Sequence, residues 1–146
     1  MVSFIISIDT SFAMSNNFFS LFLSEDFVKE SEIVVILDGI SNIKLVHYIE
    51  ELENENNNIR LIKSEKVGYG RANNIAVKHS LGEYLFFINC DVFVENGCFE
   101  KMFDALKNGK ADCVQPLLIY PQSNLVQCAG AFFGSYYKDH LFDGNN

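Results

Sequence analysis

The features that mark several classes of protein are missing from this chain of 146 residues. Lys and Arg number 11 against 19 Asp and Glu, which gives a net charge of −8, and no basic cluster is visible. Because nucleic acid binding depends on clustered cations that displace counterions, we expect no nucleic acid partner. No apolar run approaches the length of a helix that spans a membrane.

Sequence signals for metal-binding cysteines and for secretion are also missing. The segment MVSFIISIDT lacks a basic start and reaches Asp9 too soon for a secretory signal. We therefore expect a cytoplasmic chain with reduced thiols, and peripheral association with the inner face of the membrane stays open. No CxxC pair and no zinc-site spacing relates the four cysteines, which are Cys90, Cys98, Cys113 and Cys128.

The apolar content of 49% is sufficient for a folded core, to which 14 Phe residues contribute. The length suits one domain over residues 1–146, and no repeat or linker divides it. Short β-branched and aromatic runs predict strands that are buried on both faces. The predicted strands cover residues 2–8, 33–37, 59–62, 84–88, 113–120 and 125–133.

Segments of helical periodicity lie between these runs. Ser15 is a candidate cap for a first helix whose apolar residues Phe18, Leu21 and Phe22 fall at helical spacing. Strands that alternate with helices predict an α/β, Rossmann-like fold, in which a doubly wound, mostly parallel sheet has helices on both faces. The remaining helical stripes are Leu45–Ile49–Leu52, Ala72–Ile75–Ala76–His79 and Phe99–Met102–Phe103–Leu106.

Carboxylates follow three of the predicted strands. Asp9, Asp38 and Asp91 come after the first, second and fourth strands. Ligands of open α/β sheets bind beyond the carboxyl ends of the strands. The shared placement of these carboxylates therefore predicts a binding site at that edge.

The tripeptide Asn89-Cys90-Asp91 is a candidate metal motif. Residues two apart on an extended chain project to the same face, so Asn89 and Asp91 are expected side by side. A carboxylate beside an amide oxygen suits Mg²⁺ or Mn²⁺ that keeps water and phosphate ligands. The alternative is an Asp that ends a strand and forms a turn with its own backbone.

The glycine-rich turn Gly68-Tyr69-Gly70-Arg71 opens a predicted helix. Glycines let a phosphate approach the backbone, and the start of a helix attracts negative charge. Arg71 is then a candidate diphosphate contact; the alternative is a tight loop with a solvated Arg. Asn73 and Asn74, in the first helical turn, either contact a ligand or hold the neighbouring loop.

These residues resemble a known family. The segments VSFIISID, VVILDGIS and VGYGRANNIAVKHSLGEYLFFINCDVFV are similar to the N-terminal half of family 2 glycosyltransferases with the GT-A fold. The later segment PLLIYPQSNLVQCAGAFFG is similar to the rhamnosyltransferase-like branch of that family. The resemblance covers residues 2–134.

The resemblance implies a role for each candidate residue. Asp38 would contact the nucleotide base, Asp91 would bind Mn²⁺ or Mg²⁺, and the remaining positions would contact the nucleotide-sugar donor. These donor-binding positions are Ile8, Asp9 and Thr10 beside the nucleoside, Gly68, Gly70 and Arg71 beside the diphosphate, and Asn73, Asn74 and Asn89 in support.

The implied reaction transfers a sugar, with inversion, from a UDP- or dTDP-sugar to a hydroxyl of an acceptor glycan or lipid-linked sugar. Such enzymes act in the biosynthesis of cell-surface polysaccharides. The family usually continues with an acceptor-binding half that carries the general base. After Asp112 this chain has only Asp139 and Asp143 as carboxylates, outside any recognisable motif, so the base is not assigned. A halved domain would also expose apolar surface and favour a homo-oligomer.

Two alternatives to this enzyme stay open. One is a catalytically silent module that binds the nucleotide sugar and needs a partner or the missing half for transfer. The other is a dinucleotide-dependent oxidoreductase. Against it, the GxGxxG pattern lacks its third glycine, and the turn follows the third strand rather than the first.

Overall fold

The computed structural model describes residues 1–9, 11–133 and 138–140. Two compact units make up the chain, Met1–Asn96 and Gly97–Asn146, and each is described by itself. The single domain over residues 1–146 therefore stays a prediction.

The first unit alternates strands with helices, as the sequence predicts. Its strands are β1 (Val2–Ile8), β2 (Glu32–Asp38), β3 (Ile59–Ser64) and β4 (Tyr84–Phe87). Its helices are α1 (Phe12–Phe22), α2 (Asp26–Lys29), α3 (Ile43–Glu55) and α4 (Tyr69–His79).

The four strands form one parallel sheet in the order β3-β2-β1-β4. All seven residues of β1 are buried, which explains the unbroken apolar run of this central strand. Ile8 lies in register with Leu37, so the next residues, Asp9 and Asp38, emerge at the same edge of the sheet. The predicted parallel α/β sheet is confirmed.

Helices cover both faces of this sheet. On one face, Ala72 and Ala76 of α4 pack with Ile5 in a buried cluster. On the other face, the ring of Phe4 meets Phe22 of α1 edge-on, with centroids 5.0 Å apart. Successive residues of β1 thus face opposite layers, as the pleat of a strand requires.

The first helix differs from its prediction. It begins at Phe12, with Ser11 at the N-cap position, so Ser15 lies inside the helix. The Ser15 hydroxyl is buried and donates to the carbonyl of Ser11 at 3.3 Å instead of capping. Leu21 is 54% exposed, because the face that packs inward carries Phe18, Phe19 and Phe22. The short helix α2 was not predicted.

A polar network closes the amino edge of the sheet. The Ser3 hydroxyl donates to the carboxylate of Glu32 and accepts from Gly82 N at 2.8 Å. Leu81 N donates to Glu32 Oε2 at 2.7 Å. These bonds attach the loop after α4 to β1 and β2, at the edge opposite Asp9 and Asp38.

The second unit is less regular than predicted. Of the predicted strand 113–120, only two residues are extended, and the predicted strand 125–133 is divided near Gly130, which has a φ of 126°. Pro116 and Pro121 flank the short strand, and proline has no N–H to donate to a sheet. The elements are α5 (Cys98–Lys107) and the antiparallel pairs β5 (Leu118–Ile119) with β6 (Val126–Cys128) and β7 (Ala131–Phe133) with β8 (Lys138–His140).

The described part of the chain contains no helix that is both long and apolar enough to cross a bilayer. Its four cysteines are free thiols.

Candidate donor-binding site

Asp38 is the best-anchored residue of the candidate site. Its Oδ1 accepts a hydrogen bond from Val67 N at 2.6 Å, and its Oδ2 accepts one from Gly68 N at 3.0 Å. Only 1% of its side chain is exposed. The last residue of β2 therefore fixes the backbone that leads into the glycine turn, 29 to 30 residues further along the chain.

Asp38 is ionised within this buried setting. Burial by itself would raise the pKa of the carboxyl group. The N–H groups of Val67 and Gly68 and the ammonium of Lys66 outweigh that effect, so the pKa of Asp38 lies below its ordinary value. The structure thus holds a negative charge at the end of β2.

Lys66 joins the ends of two strands. Its Nζ lies 3.4 Å from Oδ2 of Asp38 and 3.4 Å from Oδ2 of Asp9. Burial would lower the pKa of Lys66, but the two carboxylates raise it above its ordinary value. Sequence reasoning missed Lys66; its position just after β3 and just before the turn was the available signal.

The glycine turn has the conformation that its composition requires. Gly68 has a φ of +87° and occupies the N-cap position of α4, with its carbonyl accepting from Ala72 N at 2.9 Å. A Cβ placed on Gly68 or on Gly70 would meet nothing within 4 Å. These glycines therefore leave open space beside the start of the helix.

The start of α4 can accept a negative group. The first N–H groups of a helix have no acceptor within it, and here they belong to Tyr69, Gly70 and Arg71. Together with the helix dipole they favour an anion. Arg71 is exposed, so its guanidinium adds a positive charge near this position.

The two asparagines of this helix differ in environment. Asn73 is 7% exposed, and its Oδ1 has no hydrogen-bond partner among the described residues. Asn74 is exposed. A buried oxygen without a donor costs on the order of 1–3 kcal/mol, so this position suits a donor group supplied by a ligand. Among the described residues, none donates a hydrogen bond to this oxygen, so Oδ1 does not show the alternative role, which is to hold the neighbouring loop.

The predicted metal motif lies just beyond β4 rather than on it. The strand ends at Phe87, Ile88 N still donates to Ile5 O at 3.2 Å, and a turn begins at Cys90. Asn89 and Asp91 are exposed and Cys90 is 4% exposed. Exposure therefore alternates along this tripeptide, although the strand is shorter than predicted, and the placement of Asn89 beside Asp91 stays a prediction.

A divalent cation at this motif would need further oxygen atoms from a bound ligand. Among the described residues, no group of three or more His, Cys, Asp or Glu side chains is placed to hold a metal ion. Mg²⁺ and similar ions are often held by one or two carboxylates together with phosphate oxygens and water. One exposed carboxylate, at Asp91, suits a metal that arrives with a diphosphate.

The sheet order relates these positions. Because β3, β2, β1 and β4 are neighbours in that order, the residues that follow them lie along one edge. Lys66 follows β3, Asp38 ends β2, Asp9 follows β1 and Asp91 follows β4. This arrangement brings the three predicted carboxylates and the unpredicted lysine to one edge.

Two predicted positions contribute less to this picture. Ile8 is 0% exposed, so its side chain belongs to the core rather than to an open nucleoside surface. Thr10 lies outside the described residues. Of the late carboxylates, Asp143 also lies outside them, and the side chain of Asp139 is not described.

The model of one known family matches most of the chain. The model of "Glycosyl transferase family 2" matches residues 20–142, which include the glycine turn and the Asn89–Asp91 motif. The chain belongs to the family 2 glycosyltransferases. Among curated proteins, none matches the chain significantly.

Solved structures share the fold of this family 2 chain. Residues 1–349 of TarS from S. aureus, in complex with UDP-GlcNAc, match with 23% identity and a TM-score of 0.64 over 76% of this chain and 32% of that one. The mannosyltransferase PcManGT from Pyrobaculum calidifontis, in complex with GDP-Man and Mn²⁺, matches with 16% identity and a TM-score of 0.65 over 84% of this chain and 36% of that one. At these identities the likeness shows the fold, and this chain spans about a third of the length of each.

Proposed function

We propose that the chain binds a nucleoside-diphosphate sugar at the carboxyl edge of its sheet and is the donor-binding part of a glycosyltransferase. The observation that carries this proposal is the attachment of Asp38 to the glycine turn through Val67 N and Gly68 N. That attachment holds the start of α4 beside the strand ends where ligands of such sheets bind.

The nucleoside would lie over the ends of β1 and β2. Both oxygens of Asp38 already accept hydrogen bonds from the backbone, so its main contribution is to fix the floor of this subsite. Asp9, whose side chain is 59% exposed, has acceptor capacity left for a base or ribose. Thr10 is proposed to line the same subsite on the strength of the family resemblance.

The diphosphate would lie at the start of α4. The N–H groups of Tyr69, Gly70 and Arg71 and the Arg71 guanidinium would stabilise its charge, and Gly68 and Gly70 allow it to approach the backbone. Asn73 would accept a hydrogen bond from the nucleotide sugar through its Oδ1, which has no partner among the described residues. Asn74 is proposed to support the site from the exposed side of the helix.

Asp91 would hold Mn²⁺ or Mg²⁺, and Asn89, which is exposed as Asp91 is, would assist. When bound, the metal would neutralise charge that develops on the departing nucleoside diphosphate. The one exposed carboxylate of this motif supports a site in which phosphate oxygens complete the ligand set.

The reaction would be a direct displacement with inversion at the anomeric carbon. An acceptor hydroxyl, on a glycan or lipid-linked sugar, would lose its proton to a carboxylate as its oxygen attacks. The helix start and Arg71 would stabilise the leaving group, as preorganised donors do for developing charge. None of the described side chains is assigned as that base.

A catalytically silent binding module is the second candidate. This candidate keeps the same nucleotide-sugar site, built on Asp38 and the glycine turn, and leaves the transfer step to a partner. A turnover assay beside a binding assay separates the two candidates, because donor binding without transfer or hydrolysis favours the silent module.

A thermal-shift assay tests the shared part of both candidates. A ligand that binds only the folded chain raises its melting temperature. UDP, dTDP and GDP at millimolar concentration, each with Mn²⁺, are expected to include at least one that raises the melting temperature, with little effect from the nucleoside alone. No shift with any of the three would contradict the proposal.

A further inference from the structure

The Lys66 ammonium is a feature of the candidate site that neither the sequence motifs nor the family resemblance pointed to. It extends from the segment after β3 across the end of β2 to the residue that follows β1. Its Nζ lies 3.4 Å from a carboxylate oxygen of Asp38 and 3.4 Å from one of Asp9. A single side chain thus links three neighbouring strand ends.

The two contacts of Lys66 are unequal. The side chain of Asp9 is 59% exposed and that of Lys66 is 58% exposed, so their ion pair is screened by water and contributes little to stability. Asp38 is 1% exposed, and its charge is balanced inside the protein by two N–H groups and Lys66. Lys66 is therefore placed to influence charge at this edge more than to hold the fold together.

Without Lys66, the carboxylates of this edge would be opposed only by Arg71 and the start of α4. Asp9, Asp38 and Asp91 all follow strands that end here, and the whole chain carries a net charge of −8. A nucleoside diphosphate brings further negative charge to the same place. Like charges that are close together repel, and the repulsion is stronger where water is excluded.

We propose that Lys66 is a positioning residue for the diphosphate of the donor: it neutralises the charge of Asp9 and Asp38, so that these carboxylates do not repel a diphosphate at the start of α4. This inference rests on the proposed function. It assigns Lys66 a larger effect on the charged diphosphate than on the uncharged nucleoside.

Two substitutions at this position separate charge from shape. Lys66→Met keeps most of the length of the side chain but removes its charge, whereas Lys66→Arg keeps the charge. Lys63→Met is the matched control, because Lys63 is also a partly exposed lysine at the end of β3 but pairs with Glu50. It changes the net charge of the chain by the same amount as Lys66→Met.

The affinity of the 146-residue chain for UDP and for uridine is measured by NMR titration in the presence of Mg²⁺. If dTDP or GDP binds more tightly than UDP, that diphosphate and its nucleoside are used instead. We expect Lys66→Met to weaken diphosphate binding about tenfold and nucleoside binding less than about twofold, because only the diphosphate is charged. Lys66→Arg is expected to restore most of the affinity, and Lys63→Met to leave it nearly unchanged.

The outcomes distinguish this inference from the proposed function. Wild-type chain that binds none of the three diphosphates overturns both. Wild-type binding that Lys66→Met leaves unchanged overturns the role of Lys66 alone. An equal loss of diphosphate and nucleoside affinity also overturns it, because it would mean that Lys66 only maintains the shape of the site.

Discussion

The carboxylate of Asp38 accepts a hydrogen bond from the backbone N–H of Gly68 at 3.0 Å, across 30 residues of sequence. Asp38 ends a strand and Gly68 occupies the N-cap position of a helix, so this bond connects the two elements that would hold the nucleoside and the diphosphate of a donor.

Replacing Asp38 with Asn is expected to destabilise the fold. The new side chain would keep one acceptor oxygen but would direct its amide NH₂ group toward backbone N–H groups or the Lys66 ammonium, which leaves buried donors unpaired. We expect a loss on the order of 2 kcal/mol in the free energy of unfolding. Urea denaturation at neutral pH measures it, and a change within about 0.5 kcal/mol, as is typical of surface substitutions, would contradict the role of Asp38 as the buried acceptor for Val67 N and Gly68 N.

The same substitution should also change how stability depends on pH. The pKa of Asp38 is lower in the folded chain than its ordinary value, so its contribution is present above about pH 4 and is lost as pH falls through the folded-state pKa. Asp26 and Glu50 also have lowered pKa values, so the wild-type curve alone does not isolate Asp38. The difference between the wild-type and Asp38→Asn chains should shrink below about pH 4; a constant difference would argue against this assignment.

Two glycines of the site should respond in opposite directions to alanine. At Gly39, where φ is +69°, a Cβ would lie 2.6 Å from Lys66 Cβ and 2.8 Å from Lys66 N. We expect Gly39→Ala to lower the free energy of unfolding by about 2 kcal/mol or more, because the backbone strain at positive φ adds to the steric overlap with Lys66. Gly70 is the second residue of α4 and has open space around it, so Gly70→Ala should stabilise the chain by about 0.4–1 kcal/mol, because alanine restricts the unfolded chain.

The Gly70→Ala variant further separates stability from donor binding. If a phosphate approaches the backbone here, the added methyl group should weaken diphosphate binding several-fold while the melting temperature rises. A variant that gains stability and keeps full affinity would mean that the diphosphate does not approach Gly70.

The opposite edge of the sheet provides a control for general loss of structure. A Cβ on Gly82 would overlap the Ser3 hydroxyl and would lie 2.6 Å from Ser3 N. We expect Gly82→Ala to destabilise the chain by about 1–3 kcal/mol. At a temperature where the variant stays folded, its affinity for a nucleoside diphosphate should match that of the wild type; a clear loss would indicate that affinity follows overall stability.

The sequence predicted the first unit of the fold well for a physical reason. The central strands of a parallel sheet are buried on both faces, so their apolar runs stand out, as VSFIISI does in β1. The start of α1 was less predictable, because Ser11 and Ser15 are equally plausible caps by composition. In the structure the helix begins after Ser11, and its buried face carries Phe18, Phe19 and Phe22.

The site was predictable in its positions but not in its contacts. Asp9, Asp38 and the glycine turn could be located because strand ends and helix starts recur in a fixed order along such a chain. The bonds from Val67 N and Gly68 N to Asp38 depend on how a loop folds back over β2, which no local pattern encodes. Lys66 was missed for the same reason, since its partners are distant in sequence, Asp9 by 57 residues.

Asp91→Asn tests the proposed metal position. An amide is a weaker ligand than a carboxylate for a hard cation such as Mg²⁺ or Mn²⁺. We expect the variant to lose the increase in nucleoside diphosphate affinity that Mn²⁺ gives the wild type. Its stability should change by less than about 0.5 kcal/mol, because Asp91 is exposed. A variant whose diphosphate affinity still rises with Mn²⁺ would place the metal elsewhere.

Paramagnetic broadening by Mn²⁺ in the presence of a nucleoside diphosphate that binds the chain tests the central claim most directly. If the donor lies at the carboxyl edge of the sheet, the backbone amide resonances of Asp38, Gly68 and Asp91 should broaden. Those of Ser3, Glu32 and Gly82, at the opposite edge, should stay sharp, and Asp91→Asn should abolish the effect. Broadening centred on the opposite edge, or spread evenly over the chain, would contradict the account.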